Sequence, residues 1–161
     1  MGEIDMNDAQ KIYKMLDWEN SIEVRLEGMN LAREIDDLSL LIIPLAAPSV
    51  IECCAQILCE KSDLVLAPYL DKLLEWLQDL NWPGALLILD RLKIFYGKEL
   101  KKTFMDCVIN ADSMNNPEGL RWMDSLSELL DNEQLREELP KEIIVKLQKH
   151  YKNWGFWWDL L

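Results

Sequence analysis

Glycine is scarce: six residues in 161, at 2, 28, 84, 97, 119 and 155, no two of them close together. A loop that cradles phosphate needs clustered glycines, so the chain has no such motif. Histidine occurs once, at His150, and the position three before it is Leu147, so the Glu-x-x-His pattern of di-metal helical bundles is missing. Cysteine is limited to Cys53, Cys54, Cys59 and Cys107. On helices these point in different directions and do not converge as zinc ligands, which makes them small buried hydrophobes of a reducing compartment. No metal and no cofactor is expected. No apolar run reaches about 18 residues, the length of a membrane-spanning helix. The start, MGEIDMNDAQK, is acidic where a signal peptide is basic and then apolar. These absences favour a cytoplasmic protein.

Half of the residues are hydrophobic, enough for 161 residues to form a single all-helical domain over 1–161 without staples. The formal charge of −12 is uneven: residues 1–80 hold 16 of the 29 acids and 6 of the 17 bases, a net of −10, and the remainder has −2. An acidic half repels nucleic acid and anionic membrane and attracts basic partners.

Alternating β-branched runs are absent, and every strong periodicity is helical. The pattern predicts helices at about Asp8–Leu16 behind Asn7 as cap, and at about Glu19–Asp37. Ser49 to Glu52, SVIE, has the form of a capping box before a helix apolar on nearly all sides, which should be buried. A further helical stretch begins at Ser62 or Asp63, with Pro68 in the first turn of PYLDKLLEWLQDL. In LEWLQDLNWPGA, Asn81 can cap the next helix, Pro83 suits its first turn, and Gly84 allows two backbones to approach. This makes a sharp helix–helix corner. The following helices fall at about 85–96, Lys98–Asn110, Pro117–Leu130 and Pro140–Tyr151; Asn116-Pro117-Glu118 is a strong start signal. Trp76 and Trp122 lie on apolar faces and are expected in the core. Trp154, Phe156, Trp157 and Trp158 either cap the helices or form an exposed patch. The helices come in pairs, at about 8–37, 49–80, 83–110 and 117–151, a cadence that suits stacked helical hairpins of HEAT-like type. An irregular helical bundle fits the same segments.

One charged pattern rises above the general acidity. On a 100° wheel with Ile22 at zero, Glu19, Glu23, Glu27, Asn30, Glu34 and Asp37 fall between about 60° and 140°, and Arg25 and Arg33 do not interrupt them. Like charges four residues apart cost a helix a few tenths of a kcal/mol per pair. A docking strip for a basic partner would recover that cost; a solvated outer face is the plainer alternative. Trp82, in the corner, is either packed across it or exposed as an interface anchor. A Cys–His nucleophile pair through His150 has no local support, so an enzyme is not expected.

The stretch WLQDLNWPGA, with KSDLVLAPYLDKLLEWLQ before it and LLILDRL after it, resembles a bacterial family of small HEAT-like domains of unknown function. Its members look like immunity-type proteins found beside polymorphic or contact-dependent toxins. VRLEGMNLAREIDDLSLLIIP and IECCAQIL also resemble this group. The resemblance runs from about Ile22 to Leu92, with no matching signature from about Gly97 onward. It implies that Trp76, Asp79, Asn81, Trp82, Pro83 and Gly84 form the corner and its caps. It also implies a non-enzymatic protein that covers a cognate, basic toxin polypeptide with an acidic surface. The binding residues would be Glu19, Glu23, Glu27, Asn30, Glu34, Asp37 and Trp82, with no nucleic acid or membrane partner. A general helical interaction scaffold is the alternative, and an enzyme with an unrecognised site near His150 is a third.

Overall fold

Local capping chemistry sets several of the helix starts. The Asp5 carboxylate accepts from the Asp8 amide at 2.9 Å and opens α1 (Met6–Leu16), two residues earlier than a cap at Asn7 would. Ser21 caps α2 (Ile22–Arg33) in the same way. The structure, a computed structural model, describes residues 5–150, and all of the regular structure among these is helical. The terminal aromatics Trp154, Phe156, Trp157 and Trp158 lie outside the described residues.

The second helix is shorter than its periodicity. Glu19 precedes it, Glu34 is its C-cap, and Asp37 instead caps a 3₁₀ turn at Leu38–Leu40. α3 (Pro48–Cys59) starts on a proline, which needs no amide partner. Ala47 occupies the cap position, so the SVIE capping box does not form, and the Ser49 hydroxyl oxygen is buried without a partner among the described residues. Ser62 caps α4 (Asp63–Leu66), a 3₁₀ turn holds Pro68, and α5 (Leu70–Trp76) completes that stretch as a broken helix. α6 (Ala85–Lys93) and α7 (Lys98–Met114) follow. α8 (Pro117–Glu128) starts at the Asn116-Pro117 signal, with the Asn116 side chain accepting from the Gly119 amide at 2.8 Å. The short α9 (Glu133–Glu138), which periodicity did not mark, and α10 (Lys141–His150) close the described chain.

The corner at 76–84 is built tightly. The buried Trp76 indole N–H donates to the Pro83 carbonyl at 3.0 Å, across the turn. Gly84 has φ +77°, left-handed, and is itself the cap residue of α6. Asn81 does not cap that helix; its amide donates to the Asp79 carboxylate at 2.9 Å. A Cβ on Gly84 would lie 2.5 Å from Ala55 Cβ, so α3 passes against the turn where only glycine fits.

One contiguous set of buried side chains extends from Ala9 to Leu147. α1 packs on α2 and α7 on α8 as antiparallel neighbours in sequence, but α3 packs on α6 and α5 on α7. The partners of the middle helices therefore interleave rather than following the 49–80 and 83–110 pairing. Two buried polar ties join the later helices to α5 and α6. The buried Trp122 indole N–H donates to the Leu74 carbonyl at 3.1 Å, joining α8 to α5. The buried Asn132 amide donates to the Leu92 and Phe95 carbonyls at 2.9 and 2.8 Å, and its carbonyl caps α9 through the Leu135 amide at 3.0 Å.

Candidate protein-binding surface

α2 packs through its smallest residues. Gly28 and Ala32 are its buried positions, and a Cβ on Gly28 would lie 2.9 Å from Met15 Cβ of α1. With that face against the core, the opposite face is left to solvent. All six positions of the predicted strip, Glu19, Glu23, Glu27, Asn30, Glu34 and Asp37, are exposed. They are not equivalent. Glu23, Glu27 and Asn30 stand on the helix and Glu34 on its C-cap, whereas Glu19 belongs to the preceding turn. The Asp37 carboxylate is engaged by the Ser39 amide and hydroxyl at 3.1 and 2.6 Å.

Arg33 does reach into the strip. Its guanidinium pairs with both Glu60 oxygens, at 2.8 and 3.1 Å, and donates to the Asn30 side-chain carbonyl at 2.9 Å. That hydrogen bond holds the Glu60 carboxyl below the usual carboxylate range and ties α2 to α3. Glu23, Glu27 and Glu34 remain as carboxylates with no ion pair among the described residues. Beside them Ile22 and Leu26 are 63% and 58% exposed. Sequence periodicity set these two residues apart from the strip. They flank it because small residues, not large ones, face α1. The α2 face is thus an acidic row edged by two exposed aliphatic side chains.

Trp82 stands on the corner between α5 and α6, not on α2. Its amide donates to the Asp79 carbonyl at 3.0 Å, its carbonyl accepts from the Ala85 amide at 3.1 Å, and its side chain is 41% exposed. The corner thus buries Trp76 and presents Trp82.

A cleft of about 640 Å³ at the α7–α8 turn is lined in part by Asp112, Asn116, Lys146, Lys149 and His150. The His150 ring nitrogen Nε2 lies 2.7 Å from the Asp124 carboxylate, and Lys146 pairs with Asp112 at 2.9 Å. Burial pushes Cys54 and Cys107 up to about 12 and Cys59 up to about 11, so each stays protonated at neutral pH. Among the described residues no three His, Cys, Asp or Glu side chains are grouped to hold a metal ion, and no helix is long and apolar enough to cross a membrane.

Two surfaces escaped the sequence reading. Asp63 accepts from Arg91 at 2.6 Å and from the Tyr96 amide at 3.1 Å, bringing exposed Leu64 near exposed Ile94 and Tyr96. A face of α7 carries Lys98, Lys101 and Lys102 with Met105 and Ile109. The i, i+3, i+4 spacing of that lysine and aliphatic row was the available signal.

No curated protein and no solved structure matches the chain. A family model matches residues 52–155, starting inside α3 and reaching well past Gly97, where the sequence resemblance had no signature. With more than half of its length matched, the chain belongs to the family described as domain of unknown function (DUF5071).

Proposed function

We propose that this is a non-enzymatic, cytoplasmic immunity-type protein that binds and neutralises a cognate basic toxin polypeptide. The observation that carries the reading is the α2 face: three carboxylates with no ion pair among the described residues, Glu23, Glu27 and Glu34, beside exposed Ile22 and Leu26. Unpaired charge accelerates encounter with an opposite surface, and adjoining aliphatic area supplies the short-range term once water is displaced. Trp82 is the aromatic anchor. The resemblance of WLQDLNWPGA and its flanks to immunity-type HEAT-like domains supports the same reading. The α1–α2 and α7–α8 hairpins support a HEAT-like stack, and the interleaving of α3 with α6 favours the irregular bundle. α2 lies outside the residues 52–155 matched by the family model.

The test is co-purification of the tagged protein with the polypeptide encoded beside its gene, at low and high salt. The expected result is a 1:1 complex whose association weakens with salt. Reversal of Glu23, Glu27 and Glu34 to Lys should slow association at least about tenfold and leave the fold intact. No complex at either salt overturns the reading. A scaffold role is the second reading, favoured by the separate exposed set Leu64, Ile94 and Tyr96. It predicts several cellular partners whose binding the triple reversal leaves unchanged.

A further inference from the structure

The chain also carries a concentrated surface of the opposite sign. Lys98, Lys101 and Lys102 sit in the first turns of α7, followed on the same face by Met105 and Ile109, the latter 50% exposed. With Asp106 and Glu138 they line a cleft of about 560 Å³. None of the three lysines has an ion-pair partner among the described residues, although the protein has 29 acids for 17 bases. The placement is unfavourable in isolation: the amino end of a helix dipole disfavours cations, Glu99 is the acid of that first turn, and Gly97 contributes no side-chain cap. Three cations with no ion-pair partner among the described residues, beside half-buried Met105 and exposed Ile109, fit an occupant that is acidic and amphipathic.

The α2 face has that chemistry: Glu23, Glu27 and Glu34 run along it, with exposed Ile22 and Leu26 beside them at its amino end. The cleft is basic at the amino end of α7 and aliphatic further on. Laid antiparallel, Ile22 and Leu26 meet Ile109 and Met105 while Glu27 and Glu34 meet Lys102, Lys101 and Lys98. The rows run over residues 98–109 and 22–34, roughly 17 and 18 Å at the rise of a helix. We propose that a second copy of this chain seats its α2 face in the α7 cleft. The repulsion between two acidic molecules does not prevent this. At physiological ionic strength charges more than about 8 Å apart are largely screened, while contacting pairs are not. The contact is head-to-tail: a pair keeps a free cleft on one copy and a free strip on the other, so association grows with concentration. It goes beyond the toxin-binding reading, because self-association covers the same strip whether or not any toxin binds it.

The experiment is sedimentation velocity on the full chain at physiological salt, with no partner added. The wild type should show a mean mass that climbs with concentration past the dimer. A strip variant (Glu23→Lys, Glu27→Lys, Glu34→Lys) and a cleft variant (Lys98→Glu, Lys101→Glu, Lys102→Glu) should each remain monomeric. Mixed in equal amounts they should associate again, since the acidic strip of one meets the basic cleft of the other and the reversed strip meets the reversed cleft. The milder Lys101→Gln, Lys102→Gln variant, checked by circular dichroism, should weaken association at least about tenfold if the triple reversal disturbs the fold. A monomeric wild type, or a variant pair that stays apart when the wild type associates, overturns the proposal. Neither outcome touches toxin binding, so the two readings fail separately.

Discussion

Gly84→Ala is the perturbation that most directly probes the corner. Glycine serves there twice. Its φ of +77° costs a residue with a Cβ about 1–2 kcal/mol. The added methyl would also lie 2.5 Å from Ala55 Cβ and 3.3 Å from Trp76 Cζ2, and Ala55 has no rotamer with which to withdraw. Relieving such a contact by shifting α3 against the turn costs about 1–3 kcal/mol. Alanine restricts the unfolded chain and returns about 0.4–1 kcal/mol. The net loss is therefore about 2–4 kcal/mol, a large share of the 5–15 kcal/mol typical of a domain. The two costs can be separated by a double-mutant cycle with Ala55→Gly. That change alone should cost about 1 kcal/mol in helix propensity. Combined with Gly84→Ala it should restore the steric share, giving a coupling of about 1–3 kcal/mol, while the φ cost remains. Urea unfolding followed by far-ultraviolet circular dichroism and tryptophan fluorescence measures all four corners. A Gly84→Ala loss below about 1 kcal/mol, or additivity within about 0.5 kcal/mol, would refute the close approach of α3 to the turn.

The remaining expectations concern single groups. Asn132→Asp keeps the cap on α9 but aims a carboxylate at the Leu92 and Phe95 carbonyls in a buried site, so at neutral pH it should destabilise by about 3 kcal/mol or more, at least as much as Asn132→Ala; wild-type stability in urea for Asn132→Asp would sink this assignment. Cys54 and Cys107 have thiols raised to about 12, so the folded state retains protons that the unfolded chain releases above about pH 8.5. Stability should then fall with rising pH by about 1.4 kcal/mol per unit per thiol, and Cys107→Ala should flatten the alkaline slope of the urea midpoint. An identical slope in the variant would contradict the burial. Glu27→Gln removes a like charge four residues from Glu23 and should raise thermal stability by about 0.2–0.5 kcal/mol; a loss larger than that would mean Glu27 has a favourable partner.

The sequence by itself determined the helical class, the helix starts at Ser62 and Asn116-Pro117, and the burial of Trp76 and Trp122. It also determined the corner at 76–84 and the need for glycine in it. These follow from interactions within a few residues: a 3.6-residue period, a side chain that accepts from an amide three positions on, a backbone angle that only glycine adopts cheaply. The exposure of the α2 carboxylates was legible for the same reason. Contacts across the chain decided the rest. Pairing α3 with α6 and α5 with α7 could not be inferred, because similar leucine-rich faces satisfy several partners equally. Ile22 and Leu26 became surface only because Gly28 and Ala32 turned toward α1, and close backbone approach outweighed the burial of two larger side chains. The Ser49 hydroxyl lost its cap to Pro48 one residue earlier. Arg33 reached Asn30 because Glu60, 27 residues away in sequence, fixed its guanidinium there. A one-dimensional pattern specifies which side of a helix is apolar. The tertiary structure decides which neighbour covers it, and that choice left one acidic and one basic face open on the same molecule.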